Sequence, residues 1–150
     1  MKTTRSTTMP LVKSTKLSEI TETHVLIYKE LVDLLKPYSK RLEVRMKERY
    51  QYELWTEHEH RAKSFHPRRR HGVLFAGIWI CKPHVGFYFY PLHLHEELKE
   101  HLPVELQAIM KGRSAFHFKT FHESFQNQMK DLLDIGFKLF EEKGWIRRRN

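Results

Sequence analysis

Residues 73–90 read Val73-Leu74-Phe75-Ala76-Gly77-Ile78-Trp79-Ile80-Cys81-Lys82-Pro83-His84-Val85-Gly86-Phe87-Tyr88-Phe89-Tyr90. Two apolar runs, Val73 to Cys81 and Gly86 to Tyr90, flank the break Lys82-Pro83-His84-Val85. Proline pre-sets a turn and the polar residues tolerate water there, so the stretch predicts a β-hairpin. Successive side chains of a strand point to opposite faces. With Cys81 placed opposite Gly86, one face carries Leu74, Ala76, Ile78, Ile80, Phe87 and Phe89, a plain core face expected to meet helices. The other carries Phe75, Gly77, Trp79, Cys81, Gly86, Tyr88 and Tyr90. It mixes glycines with Trp and Tyr, whose rings bear polar handles. If helices cover one side of the sheet alone, Trp79, Tyr88 and Tyr90 stand exposed together, and exposed aromatic patches mark ligand or partner surfaces. Phe75, Trp79, Tyr88 and Tyr90 are therefore the candidate ligand or partner face.

On the N-terminal side, Leu42, Val44 and Met46 alternate with charged residues, and Tyr50, Tyr52 and Leu54 alternate with Gln51, Glu53 and Trp55. This period of two predicts two half-wet strands. Before them, Ile27, Leu31, Leu34 and Leu35 form the stripe of a helix over about 22–36, stopped by Pro37. On the C-terminal side, two helical pieces around 95–101 and 103–110 are split by Pro103, and Ala115 to Lys119 reads as a fifth strand. In the last helix Phe125, Met129, Leu132, Gly136, Leu139 and Phe140 share a stripe, and Gly136 predicts close approach to the sheet. Thr120-Phe121-His122-Glu123 has the form of a capping box, and Gly144 followed by Trp145 that of a left-handed C-cap with its hydrophobic contact. The element order α-β-β-β-β-α-α-β-α predicts an α+β fold, a mainly antiparallel five-stranded sheet with the N- and C-terminal helices packed on one face. Residues 1–20 are expected to be a mobile basic arm, 21–146 a single domain, and 147–150 a basic tail.

The chain has 150 residues, 40% apolar and 13% aromatic, enough for a packed core. The longest apolar run, nine residues from Val73 to Cys81, is far short of the roughly 20 that span a bilayer. No apolar stretch follows the first residues as in a secretory signal. One cysteine, Cys81, forbids an internal disulfide and suits a reducing compartment, so a cytoplasmic location is expected. The net charge is +9, of which residues 1–18 supply +4 and Arg147-Arg148-Arg149 +3. Charge gathered at chain ends is a solubilising pattern more than a dedicated nucleic-acid face.

Several of these segments carry a resemblance: Phe75-Ala76-Gly77-Ile78-Trp79-Ile80, then Val85-Gly86-Phe87-Tyr88-Phe89-Tyr90-Pro91. They continue with Lys111-Gly112-Arg113-Ser114-Ala115-Phe116-His117-Phe118-Lys119 and Glu141-Glu142-Lys143-Gly144-Trp145-Ile146. Together they resemble the bacterial YdhG-like family, a domain family of unknown function, over about two-thirds of the chain. The resemblance implies a frataxin-like α+β domain and brings no catalytic residues. Its most suggestive association is iron handling. The acidic first-helix ridge that frataxin-like iron binding uses is reduced here to Glu19, Glu22, Glu30 and Asp33.

Eleven histidines invite a search for metal ligands. His58, His60, His66 and His71 crowd the polar stretch 57–71, with Glu57 and Glu59 interleaved; imidazoles and carboxylates together suit zinc or iron. His93 and His95 form a second pair. His95-Glu96 opens like the zinc-protease helix motif, but the second histidine position is Lys99, so that motif fails. Cys81, near Lys82 and His84, has the neighbours of a nucleophile but reads first as a small strand residue. No nucleophile elbow, P-loop or dinucleotide glycine pattern occurs, and no enzymatic activity is expected. The sequence thus predicts a small binding or interaction domain, acting on an unidentified small ligand, a protein or a second copy through the aromatic face. Its alternatives are metal handling through the 57–71 histidines, and weak non-specific nucleic-acid binding through Arg68, Arg69, Arg70 and the tails.

Overall fold

The computed structural model describes residues 20–56, 72–81 and 83–146. The two alternating segments form β1 (Glu43–Glu48) and β2 (Gln51–Trp55), and the apolar pair forms β3 (Leu74–Cys81) and β4 (His84–Phe89). With β5 (Met110–Lys111) and β6 (Ala115–Phe118) they make an antiparallel sheet of six described strands in the order β1-β2-β3-β4-β6-β5. The long helices are α1 (Glu22–Leu35) and α5 (Glu123–Glu142); the short α2 (Tyr90–Leu94), α3 (Glu97–Glu100) and α4 (Val104–Ala108) lead from β4 to β5. The expected α+β class is found, with one strand more. The piece expected to be helical to residue 110 stops at Ala108. The His117 N–H donates to Ile109 O at 2.9 Å, Met110 pairs with Phe116, and Gly112 turns the chain at φ +66°. A second departure is Tyr90, expected at a strand end: Pro91 in the first turn makes it the start of α2.

The β3–β4 hairpin is tighter than expected. Cys81 pairs with His84, and Gly86 lies opposite Trp79. Two residues then connect the strands, the commonest hairpin length. The shift is by two, so it leaves the faces of β4 unchanged. A bulge does change them in β3: Leu54 pairs with Ala76 but Trp55 pairs with Leu74, leaving Phe75 as the extra residue. Phe75 therefore turns to the helix side. Its ring meets Phe140 at 5.1 Å, Phe89 at 5.3 Å and Phe137 at 5.9 Å. Leu74, opposite Trp55, takes the other face. The expected places of Leu74 and Phe75 are exchanged, and Phe75 belongs to the core rather than to a ligand face.

α1 packs across β3 and β4, and α5 lies against α1. The leucine stripe of α1 is buried as its spacing predicts. In α5 the buried residues are Phe125, Met129, Leu132, Leu133, Gly136 and Phe140. A Cβ on Gly136 would come within 2.3 Å of Phe89 Cζ, so the close approach to the sheet is real. Arg41 adds an ion pair to Glu141 at 2.7 Å.

The helix ends divide. At the C-terminus of α5, Gly144 sits at φ +80°, the Trp145 N–H donates to Phe140 O at 3.0 Å, and the two rings meet at 5.1 Å, a complete Schellman cap. At its N-terminus the Thr120 box does not form: α5 starts at Glu123, and His122 is the N-cap with no side-chain capping bond, its Nδ1 meeting Ser124 Oγ at 2.8 Å instead. Phe121 packs on Phe118 and Phe125, and His122 remains extended. A capping box does form at α1, where Thr21 Oγ1 accepts from the His24 N–H at 3.2 Å and His24 Nδ1 accepts from the Thr21 N–H at 3.4 Å. That leaves the His24 Nε2–H to donate to Pro83 O at 2.9 Å, tying α1 to the hairpin turn.

Candidate functional site

The sheet face opposite α1 and α5 is not the exposed aromatic patch the sequence predicts. Trp79, Tyr88 and Tyr90 are 5%, 6% and 3% exposed. Pairing explains part of this. Gln51, Trp79, Gly86 and His117 are successive partners across β2, β3, β4 and β6, and the Trp79 indole fills the space a side chain at residue 86 would need. Tyr88 stacks with Tyr90 at 6.5 Å, and Tyr90 with His93 at 5.4 Å. Toward β1, the buried Glu53 carboxylate accepts from Trp55 Nε1 at 2.8 Å and Gln51 Nε2 at 3.1 Å. The guanidinium of Arg45 lies 4.4 Å from the centroid of a Trp55 ring.

The other edge of this face opens to a cleft. His84 begins β4 and His117 lies on β6, and the β4–β6 register brings their imidazoles into a stack with centroids 3.6 Å apart and planes at 18°. The cleft beside them has a volume of about 460 Å³, in the range of small-ligand sites. Ile109, Phe118 and Phe125 give it an apolar wall, while Lys111, Lys119 and Thr120 add polar groups. Burial, the neighbouring His117 and the ammonium groups of Lys119 and Lys111 push the His84 imidazole down to about 4 from an ordinary 6.5. Burial first, and Lys111 second, lower His117 as well. At neutral pH both rings are therefore uncharged, each offering one N–H donor and one lone pair. Two ammonium groups and two neutral imidazoles converge on a partly apolar cleft.

A second cleft, about 410 Å³, lies beside the start of α1 between Ile20, Thr21, Val25, Leu26 and Tyr50. Among the described residues its one charged lining residue is Glu22.

The remaining sequence candidates fall as follows. His58, His60, His66, His71 and Arg68–Arg70 lie outside the described residues. His95 Nδ1 is 3.5 Å from Glu97 and does not join His93 in a ligand set. Among the described residues no three His, Cys, Asp or Glu side chains come together as a metal site. Cys81 is half-buried and is the strand partner of His84. The His84–His117 pair was not visible as a pair in the sequence. Its one local sign is that His117 interrupts the apolar alternation of Phe116 and Phe118 on the wetter face of a strand. No family model, curated protein or solved structure matches this chain. No described helix is long and apolar enough to cross a membrane.

Proposed function

We propose that this chain is a small cytoplasmic binding domain, a YdhG-like α+β module, whose ligand seat is the cleft at the β4–β6 edge. The observation that carries the reading is the stacked His84–His117 pair, half-buried beside a 460 Å³ cleft with Lys111 and Lys119 on its lining. Structural histidines can be satisfied by backbone, as His24 is by Pro83 O. His84 and His117 instead line a space large enough for a ligand. The family assignment rests on the quoted motifs, and the location on the lone cysteine. Metal handling and nucleic-acid binding draw on residues outside the described ones, and no described feature favours either. The test is a fragment screen with neutral, cationic and anionic members, followed by the ring proton signals of His84 and His117. Ligands that shift both rings support the seat. Ligands that bind while moving the Trp79 and Tyr88 signals alone would return the site to the aromatic face.

A further inference from the structure

We infer that the cleft takes a phosphate monoester, its head group held by Lys111, Lys119 and the stacked imidazoles of His84 and His117, its organic part against Ile109, Phe118 and Phe125. The inference rests on the reading of this cleft as the ligand seat. Charge is the first argument. Among the described residues no carboxylate forms an ion pair with Lys111 or Lys119, although other surface cations are paired, Lys36 with Asp33 and Lys99 with Glu96. Both ammonium groups act on His84, so their fields converge on one place. A phosphate monoester carries a charge of about −1.5 to −2 at pH 7 and three strong acceptor oxygens. That matches two ammonium groups, whereas a carboxylate would offset one.

Donors are the second argument. Lysine supplies three N–H donors and a neutral imidazole one, and Thr120, a hydroxyl-bearing residue, also lines the cleft. Anions with several oxygens use such a set more fully than planar carboxylates do. The wall of Ile109, Phe118 and Phe125 has no use in binding inorganic phosphate, and so assigns an apolar or aromatic body to the ligand.

Protonation is the third. Among the described residues the groups that act on His84 are His117 and Lys119 of β6 and its edge, Lys111 of β5 and His24 of α1, none of them an acid; Cys81 of β3 is its strand partner. Nothing in this set favours the imidazolium in the empty cleft. An anion placed beside the rings does favour it, so binding draws in a proton.

Calorimetry with phenyl phosphate, inorganic phosphate, benzoate and benzyl alcohol, at pH 7 in two buffers of different ionisation enthalpy, tests this. Phenyl phosphate should bind tightest, with proton uptake and with shifts of both histidine ring signals. Lys111→Gln with Lys119→Gln should weaken it about tenfold or more, as loss of charged hydrogen bonds does. Both lysines are exposed, so an unchanged thermal unfolding curve will show the variant folded. His84→Gln should reduce the proton uptake. Benzoate binding as tightly as phenyl phosphate, or phenyl phosphate binding untouched by the lysine changes, overturns the phosphate assignment. Benzyl alcohol alone shifting the histidine rings overturns it too, while leaving the cleft as the seat. No probe shifting the rings, and no hit from the fragment screen there, overturns both.

Discussion

The indole of Trp79 occupies the space over Gly86: a Cβ at residue 86 would lie 2.4 Å from Cζ2 and 2.5 Å from Cε2 of the ring. Gly86 has no positive φ, so its backbone could accept any residue. The glycine is required by the ring above it. Gly86→Ala should displace the indole, cost about 1–3 kcal/mol as overpacking does, and shift tryptophan emission. Urea unfolding followed by fluorescence checks both. An alanine that is neutral and spectroscopically silent would contradict the packing described.

Gly136 makes the corresponding prediction on the helix side. In an exposed helix, Gly→Ala stabilises by roughly 1 kcal/mol. Here the added Cβ would come within 2.3 Å of Phe89 Cζ and 2.9 Å of Pro91 Cγ, and Phe89 is fully buried among other rings. Gly136→Ala should therefore destabilise, by about 1–3 kcal/mol, and Gly136→Leu by more. Phe89→Leu combined with Gly136→Ala should cost less than the sum of the two single changes in denaturant unfolding.

Two threonines separate a capping pattern from a cap. Thr21→Ala removes the acceptor for the His24 N–H and should cost about 1 kcal/mol. Thr120→Ala touches no cap and should stay within about 0.5 kcal/mol, as exposed surface changes do. Paired thermal melts will show the difference; equal losses would mean that Thr120 acts through a contact other than capping.

Stability should fall on the acid side before ordinary carboxylates titrate. The unfolded chain takes a proton on residue 84 near pH 6.5, while the folded His84 refuses it until about 4. Below pH 6.5 the unfolded state thus binds more protons, and stability declines as pH falls toward 4; above 6.5 this group adds no slope. His117 acts in the same direction. With water reaching the half-buried ring taken into account, the loss assigned to His84 between pH 6.5 and 5 should be about 1 kcal/mol. His84→Gln should flatten the stability curve over that interval, measured by urea unfolding at each pH. An unaltered slope would show that the ring charges as freely folded as unfolded.

Elements whose signals are local were legible along the chain. Period-two alternation marked β1 and β2 as strands, although β2 is buried on both faces rather than half-wet, the leucine stripe produced α1, and Gly144 with Trp145 closed α5, because each depends on residues a few positions apart. Gly136 was legible for the same reason, a missing side chain on an otherwise apolar stripe. Tertiary structure decided what depends on registers between distant strands. The bulge that sends Phe75 under α5 exists through the pairing of β3 with β2, and no periodicity within β3 announces it. The burial of Trp79 follows from Gly86 lying across from it. His84 and His117 stand 33 positions apart and meet because Val85 pairs with Phe118 and Gly86 with His117. Alternation tells which face a side chain takes; which residue it meets there is set by the hydrogen-bonded alignment of strands, a property of the folded sheet as a whole.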